Sequence, residues 1–194
     1  MPNVLVLSFE GFSFSSRQLY PQLLPKLLSR ATVHESLTIQ DALNYVSTGW
    51  PSIILIADAV ITYEMEESQR LLGAIVDFTK QGCTTIFMGF TAETVDHRRL
   101  NTIFKEEFDL RWRVAELTRH DTNLLPLDEF MIRTKCLVPA FYANALFLGK
   151  VPTSQIVYSG TSGSALTAYA AFTRVGLGKL GFIGDVITPC HHIA

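Results

Sequence analysis

Apolar residues in the first half of the chain form short runs that alternate with amphipathic stretches. Residues 3–9, 51–57 and 83–90 are runs rich in aliphatic and aromatic residues, a pattern typical of strands buried on both faces of a sheet. Residues 66–80 place apolar side chains at helical spacing and lead to Gly82, a natural helix cap. The alternation of strands and helices predicts a parallel sheet with helices on both faces.

The pattern changes after Asp109. Residues 110–130 are irregular, and strand-like pieces follow them. The last two pieces, residues 165–175 and 179–187, are separated by Gly176-Leu177-Gly178 and predict an antiparallel hairpin. We therefore expect one domain over residues 1–194. Its expected fold is a three-layer α/β/α sandwich of flavodoxin-like type, with a mostly parallel sheet and a C-terminal antiparallel hairpin.

Composition indicates which classes of partner and which cellular compartment to expect. Hydrophobic residues make up 48% of the 194 residues and charged residues 18%, so the chain can bury a full core. The net charge of −2 and the lack of a basic block indicate no nucleic-acid partner. Residues 151–173 carry no charge but are rich in Ser, Thr and Gly, which is not a membrane span. Three cysteines without a CxxC pair, and no signal-like start, predict a cytoplasmic protein.

Three motif-like stretches favour ordinary structural explanations. Residues 176–181 match GxGxxG, but a strand follows them where a dinucleotide site needs a helix. Residues 159–164 lack the lysine of a phosphate loop and the last glycine of GxSxG, so we expect a polar loop. Cys190-His191-His192 are potential metal ligands, but no second cluster has ligand spacing. We expect no metal and no cofactor.

Four segments give the chain a family likeness: VLVLSFEG, SIILIADA, GCTTIFMGFTAE and RVGLGKLGFIGDV. In their order along the chain, they resemble the class I glutamine amidotransferase-like superfamily, particularly its ThuA-like branch. The likeness covers most of the chain except residues 109–155. It implies a sheet whose fourth strand runs into a sharp turn that carries a nucleophilic cysteine.

The resemblance puts Phe90 at the nucleophile position, or Thr91 if the register shifts by one residue. Neither side chain is a thiol, so the resemblance implies no amidotransferase or cysteine-hydrolase chemistry here. The family's catalytic histidine lies late in the chain, which makes His191 a catalytic candidate beside Thr91.

Carboxylates follow several predicted strands at their C-terminal ends: Glu10, Asp58, Glu93 and Asp185. Ligands of open parallel sheets bind outside the carboxyl ends of the strands. We therefore expect a ligand pocket that combines these carboxylates with Gly89 and Phe90. The alternative is that each carboxylate caps a helix or a turn.

Three functional hypotheses follow. The first is a non-catalytic, self-associating amidotransferase-like domain that binds a small molecule or a protein partner at the strand ends. The second is a hydrolase with a displaced nucleophile, which is Thr91, or Cys83 or Cys190 assisted by His191. The third is a structural subunit with an apolar docking surface, suggested by the mean hydropathy of +0.24.

Overall fold

The computed structural model describes residues 1–9, 23–126, 132, 136–162 and 165–186, without the side chain of Ser162. Its helices are α1 (Leu23–Leu28), α2 (Ile39–Thr48), α3 (Glu66–Lys80), α4 (Thr91–Thr94) and α5 (His97–Thr102). Its strands are β1 (Asn3–Leu7), β2 (Thr32–Ser36), β3 (Ile53–Ile56), β4 (Thr84–Phe87), β5 (Arg113–Leu124), β6 (Ala140–Gly149), β7 (Ile156–Ser162), β8 (Ala165–Val175) and β9 (Gly178–Ile183). Short 3-10 turns cover Val60–Thr62 and Thr153–Gln155, and a π-helical turn covers Ile103–Glu107.

One half of the sheet is parallel, in the order β2-β1-β3-β4-β9. Helices α2, α3 and α5 contribute to the core on one face of these strands, and α1 contributes Leu24 and Leu27 to the other face. The closing strand β9 lies very close to the end of α3. A Cβ at Gly178 would stand 2.1 Å from the Thr79 carbonyl oxygen and 2.2 Å from that of Cys83, so only glycine fits.

The other half of the sheet is antiparallel. Strand β5 pairs with β6 and β7, and β8 pairs with β6, β7 and β9. The pairings among β5, β6, β8 and β7 close into a ring. The predicted hairpin is confirmed, because Arg174 of β8 pairs with Lys179 of β9. The prediction of a three-layer sandwich with a mostly parallel sheet is wrong, since antiparallel pairing dominates the second half of the chain.

The error arises from β5 and has a physical reason. We predicted residues 110–130 to be irregular, but they contain β5 over Arg113–Leu124. In the structure, exposed and half-buried residues alternate along most of β5. An antiparallel strand tolerates this pattern because one of its faces can remain in water, whereas parallel strands are usually covered on both faces.

Aromatic rings join the two halves. Phe104, in the π-helical turn, lies edge-on to Phe87 of β4, Trp112 and Phe182 of β9, with ring centroids 5.8, 5.5 and 6.2 Å away. All four side chains are at most 1% exposed. Their contacts place the start of β5 against the parallel strands.

Candidate functional site

The carboxyl ends of β1 and β3 form the rim at which strand order reverses, because β1 leads to β2 on one side and β3 leads to β4 on the other. Asp58 follows β3 and is 5% exposed. Its carboxylate accepts hydrogen bonds from the backbone N–H of Phe9 and, at 3.1 Å, from that of Val60. The carboxylate therefore bridges the two strand ends where ligands of open parallel sheets usually bind.

The turn after β4 carries the position that the family resemblance assigns to a nucleophile. Gly89 is buried with a φ of 64°, and Phe90 precedes α4 in a helical conformation. Thr91 is 0% exposed, and its hydroxyl lies 2.9 Å from the carbonyl oxygens of both Ile56 and Asp58. The hydroxyl donates to these carbonyls and ties the turn to the end of β3.

The remaining predicted site residues lie elsewhere. Glu93 is exposed on α4. Asp185 is exposed beyond β9, where its backbone pairs with Ala145 of β6, and partial desolvation raises the pKa of its carboxyl. The structure thus brings Asp58 and Thr91 together and attaches Asp185 to the antiparallel half. Glu10, Cys190 and His191 lie outside the described residues, and their roles stay predictions.

Cys83 lies just before β4, at the opposite end of the strand from the turn. It is 5% exposed, and burial raises the pKa of its thiol to about 11. Because the thiolate is the reactive form, this environment disfavours nucleophilic chemistry. Over the described ranges, no three His, Cys, Asp or Glu side chains are grouped so that they could hold a metal ion.

A concave apolar surface, which sequence reasoning missed, lies over β8 and β9. This β8–β9 groove has a volume of about 490 Å³. Its lining is almost entirely aliphatic and aromatic: Ile86, Ile132, Leu137, Val138, Phe141, Val157, Tyr158, Tyr169, Ala170, Ala171, Phe172, Gly181, Phe182 and Ile183. Ile86 and Ile183 also pack in the cluster that includes Leu24 and Leu27, so the groove opens on the α1 side of the sheet.

Three aromatic rings fix one wall of the β8–β9 groove. Phe141, Tyr158 and Tyr169 lie edge-on to one another with centroids 5.0 to 6.1 Å apart. The Tyr158 hydroxyl donates to the Val138 carbonyl at 2.8 Å. Burial, with a smaller effect from Asp185, raises the pKa of Tyr169, so its phenol stays protonated. The rings come from three strands, and no local sequence pattern indicates that they meet.

Among the residues that the structure describes, no helix is both long enough and apolar enough to cross a membrane.

Comparisons with known proteins support the fold and no particular activity. No family model and no curated protein matches the chain. A Bacteroides uniformis protein named ThuA-like aligns over 97% of this chain and 84% of its own, with a TM-score of 0.59 and 10% identity.

Two glycosidases also align. A catalytic mutant of a GH42 β-galactosidase from G. stearothermophilus covers 97% of this chain (TM-score 0.52, 13% identity). A β-galactosidase from Bacillus circulans covers 95% (TM-score 0.56, 11% identity). This chain spans only 28% of each of those two enzymes. At such identities, the matches show that the chain has the fold of the ThuA-like protein.

Proposed function

We propose that this chain is a ThuA-like domain that acts by binding rather than by catalysis, and that its ligand is a largely apolar small molecule in the β8–β9 groove. The groove itself is the observation that carries the proposal. Its volume of about 490 Å³ lies in the range of small-molecule sites, which are concave, mostly apolar and fitted with few polar groups.

The state of the strand-end rim supports a non-catalytic role. A nucleophile at the turn after β4 has to be reachable by substrate and activated by a neighbouring group. Phe90 has no nucleophilic atom, and the Thr91 hydroxyl is 0% exposed and hydrogen-bonded to backbone carbonyls. Cys83 lies at the other end of β4 with a raised pKa. In the conformation described, the Thr91 hydroxyl therefore stabilises the turn.

The two phenols suggest how the groove selects its ligand. The Tyr158 hydroxyl is held by the Val138 carbonyl, and its oxygen can still accept a hydrogen bond. Tyr169 adds a second protonated phenol on the same wall. An apolar ligand with one or two hydroxyl or carbonyl groups would satisfy this wall, whereas a charged ligand would lose hydration without gaining a counter-charge.

Binding is testable with Nile red, an uncharged dye whose fluorescence rises in apolar surroundings. Ile183→Asp places a charge in the groove, and we expect at least about a tenfold loss of dye affinity, since tenfold corresponds to about 1.4 kcal/mol and even partial desolvation of an unpaired charge costs about that much. Leu177→Asp is the matched control. It makes the same chemical change on the same hairpin, at a residue that is 86% exposed and outside the groove lining.

Equal dye affinity in the two variants, or no saturable binding by the unmodified chain, would refute the groove as the binding site. Thermal unfolding of both variants shows whether a loss of binding reflects a loss of folding.

The non-catalytic part of the proposal has a separate test. A reactive glutamine analogue should leave the mass of the intact chain unchanged. A covalent adduct on any cysteine, abolished by the matching Cys→Ser change, would contradict the proposal and favour the hydrolase hypothesis with Cys83 or Cys190. Hydrolytic turnover lost in Thr91→Ala would contradict it in the same way.

A further inference from the structure

A second cleft, with a volume of about 820 Å³, lies beside α5. It shares no lining residue with the β8–β9 groove. We call it the α5–β5 cleft. Its walls come from α5, the π-helical turn, the start of β5 and the residue after β6: Arg98, Asn101, Thr102, Lys105, Glu106, Asp109, Leu110, Arg111, Trp112, Arg113 and Lys150.

The α5–β5 cleft carries an excess of positive charge although the whole chain carries a net charge of −2. Five of its lining residues are cationic and two are acidic. In the part of the chain that the structure describes, the ion pairs within 4.0 Å are His34–Asp41 and His120–Glu116. None of the cleft's arginines and lysines is in these pairs, so Glu106 and Asp109 offset part of the positive charge without forming an ion pair with any of these cations.

The backbone around the cleft is unusual at three points. The π-helical turn Ile103–Glu107 carries Lys105 into the wall. Asp109 and Lys150 have φ values of 55° and 56°, a left-handed conformation that is uncommon for residues other than glycine. Such π-helical turns and strained residues concentrate at functional sites.

Buried packing and two hydrogen bonds hold the floor of the cleft in place. Trp112 is 1% exposed, and its indole N–H donates to the Gln155 side-chain oxygen at 2.8 Å. The Asn101 side-chain oxygen accepts from the Val114 backbone N–H at 2.7 Å, which fixes α5 to β5. A ligand would therefore bind without much ordering of the backbone, and less binding free energy would be lost to entropy.

An adjoining cleft of about 640 Å³ shares Arg98 and Thr102 with the α5–β5 cleft. Its lining adds Arg99 together with two acidic residues, Glu64 and Asp96, so the excess of positive charge belongs to the α5–β5 cleft. The Arg99 Nε–H donates to the Thr62 carbonyl, just beyond β3, at 3.2 Å. This bond holds Arg99 in the adjoining cleft, and the two clefts meet at Arg98 and Thr102.

We propose that the α5–β5 cleft binds a small anion with several negative charges, carried by phosphate or carboxylate groups. Arginine presents a planar fork of N–H donors that matches the oxygens of either group, and three of the five cations that line the α5–β5 cleft are arginines. A volume of about 820 Å³ suits a compact ligand. The net charge of −2 disfavours an extended polyanion such as nucleic acid.

Isothermal titration of the full chain with pyrophosphate and with citrate tests the proposal. We expect saturable binding of at least one probe, weakened by added sodium chloride. Arg113→Gln should weaken it about fivefold, the effect of losing one exposed charge contact. Arg119→Gln is the matched control, because Arg119 is also exposed on β5 but lies outside the cleft. It should change the affinity less than about twofold.

Tighter binding of pyrophosphate would identify phosphate as the recognised group, and tighter binding of citrate would identify carboxylate. Either result supports the proposal that the α5–β5 cleft binds a small anion. Binding of neither probe would overturn the proposal. Equal weakening by the two variants would also overturn it, since the effect would then depend on net charge. A short single-stranded oligonucleotide that binds more tightly than both probes, and loses affinity in Arg113→Gln, would overturn the proposal as well.

Discussion

The Thr91 hydroxyl offers a direct measurement of what the turn after β4 contributes to stability. Thr91→Val removes the hydroxyl and keeps the shape of a side chain that is 0% exposed, so no cavity forms. The lost interaction is one hydroxyl shared between the carbonyls of Ile56 and Asp58, each 2.9 Å away. A hydrogen bond of this kind is worth about 1 kcal/mol net, and leaving a buried acceptor unsatisfied costs about 1–3 kcal/mol.

The Ile56 carbonyl moderates this loss because it also accepts from the Met88 N–H at 2.9 Å. We therefore expect Thr91→Val to lower the free energy of unfolding by about 1–2 kcal/mol. In a domain of this size, that change corresponds to a fall of about 2–8 °C in Tm. Urea unfolding followed by tryptophan fluorescence gives the first quantity, and calorimetry gives the second.

Thr94→Val is the matched control on the same helix. Its hydroxyl donates to the Phe90 carbonyl at 2.8 Å, but the residue is exposed and water can replace the bond. We expect a loss below about 0.5 kcal/mol. If the two variants unfold at the same urea concentration, the Thr91 hydroxyl does not hold the turn, and the structural explanation of its burial is wrong.

Three further predictions concern the backbone, the pH dependence and the thiols. Gly184→Ala should destabilise the chain by more than about 3 kcal/mol, measured by urea unfolding, because the new Cβ would lie 1.9 Å from the Leu146 carbonyl oxygen. Ser36→Ala should raise the pKa of Asp41, measured by NMR titration, because the Ser36 hydroxyl is the main group that lowers that pKa below 3.8. Cys83 should resist iodoacetamide at pH 8, measured by mass spectrometry, because it is buried and its pKa is about 11.

Gly73→Ala and Cys136 are the controls for the first and third predictions, and the lowered pKa of Asp41 fixes the direction of the pH dependence in the second. The Cβ that Gly73→Ala adds would have no atom within 4 Å, so the change should stabilise α3 by about 0.5–1 kcal/mol. A lowered pKa at Asp41 stabilises the fold above the unfolded value of 3.8, and this contribution is lost as pH falls through the lower folded value. Cys136 is exposed and should react. Labelling of both thiols at equal rates would refute the burial of Cys83.

The sequence predicted those parts of the fold whose signal is local. The runs that became β1 and β3 are continuous and apolar, and the turn between β8 and β9 carries Gly176 and leads directly into Gly178. Strand β5 was missed because its burial is decided by β6 and β7, which lie far along the chain. The break between α4 and α5 is also local, because the chain leaves helical geometry at Val95 and restarts from an Asp96 cap.

The candidate site was predictable to the same limited degree. The resemblance correctly placed a turn with Gly89, Phe90 and Thr91 directly after a buried strand. It could not indicate that the Thr91 hydroxyl would point at backbone carbonyls, since this depends on where β3 ends. The β8–β9 groove depends even more on topology, because its wall forms only when the antiparallel ring brings three distant aromatic residues together.

These observations give a physical reason why the proposed ligand would bind in the β8–β9 groove and not at the carboxyl ends of the parallel strands. A crevice at the switch point requires the ends of β1 and β3 to stay apart, but the Asp58 carboxylate accepts from Phe9 and so joins them. The antiparallel ring adds a concave apolar surface that an open parallel sheet does not have. If this reasoning is right, Asp58→Ala should lower stability while Nile red affinity stays unchanged, because the rim and the groove share no residue. A parallel loss of dye affinity in a folded Asp58→Ala chain would show instead that the rim still belongs to the binding site.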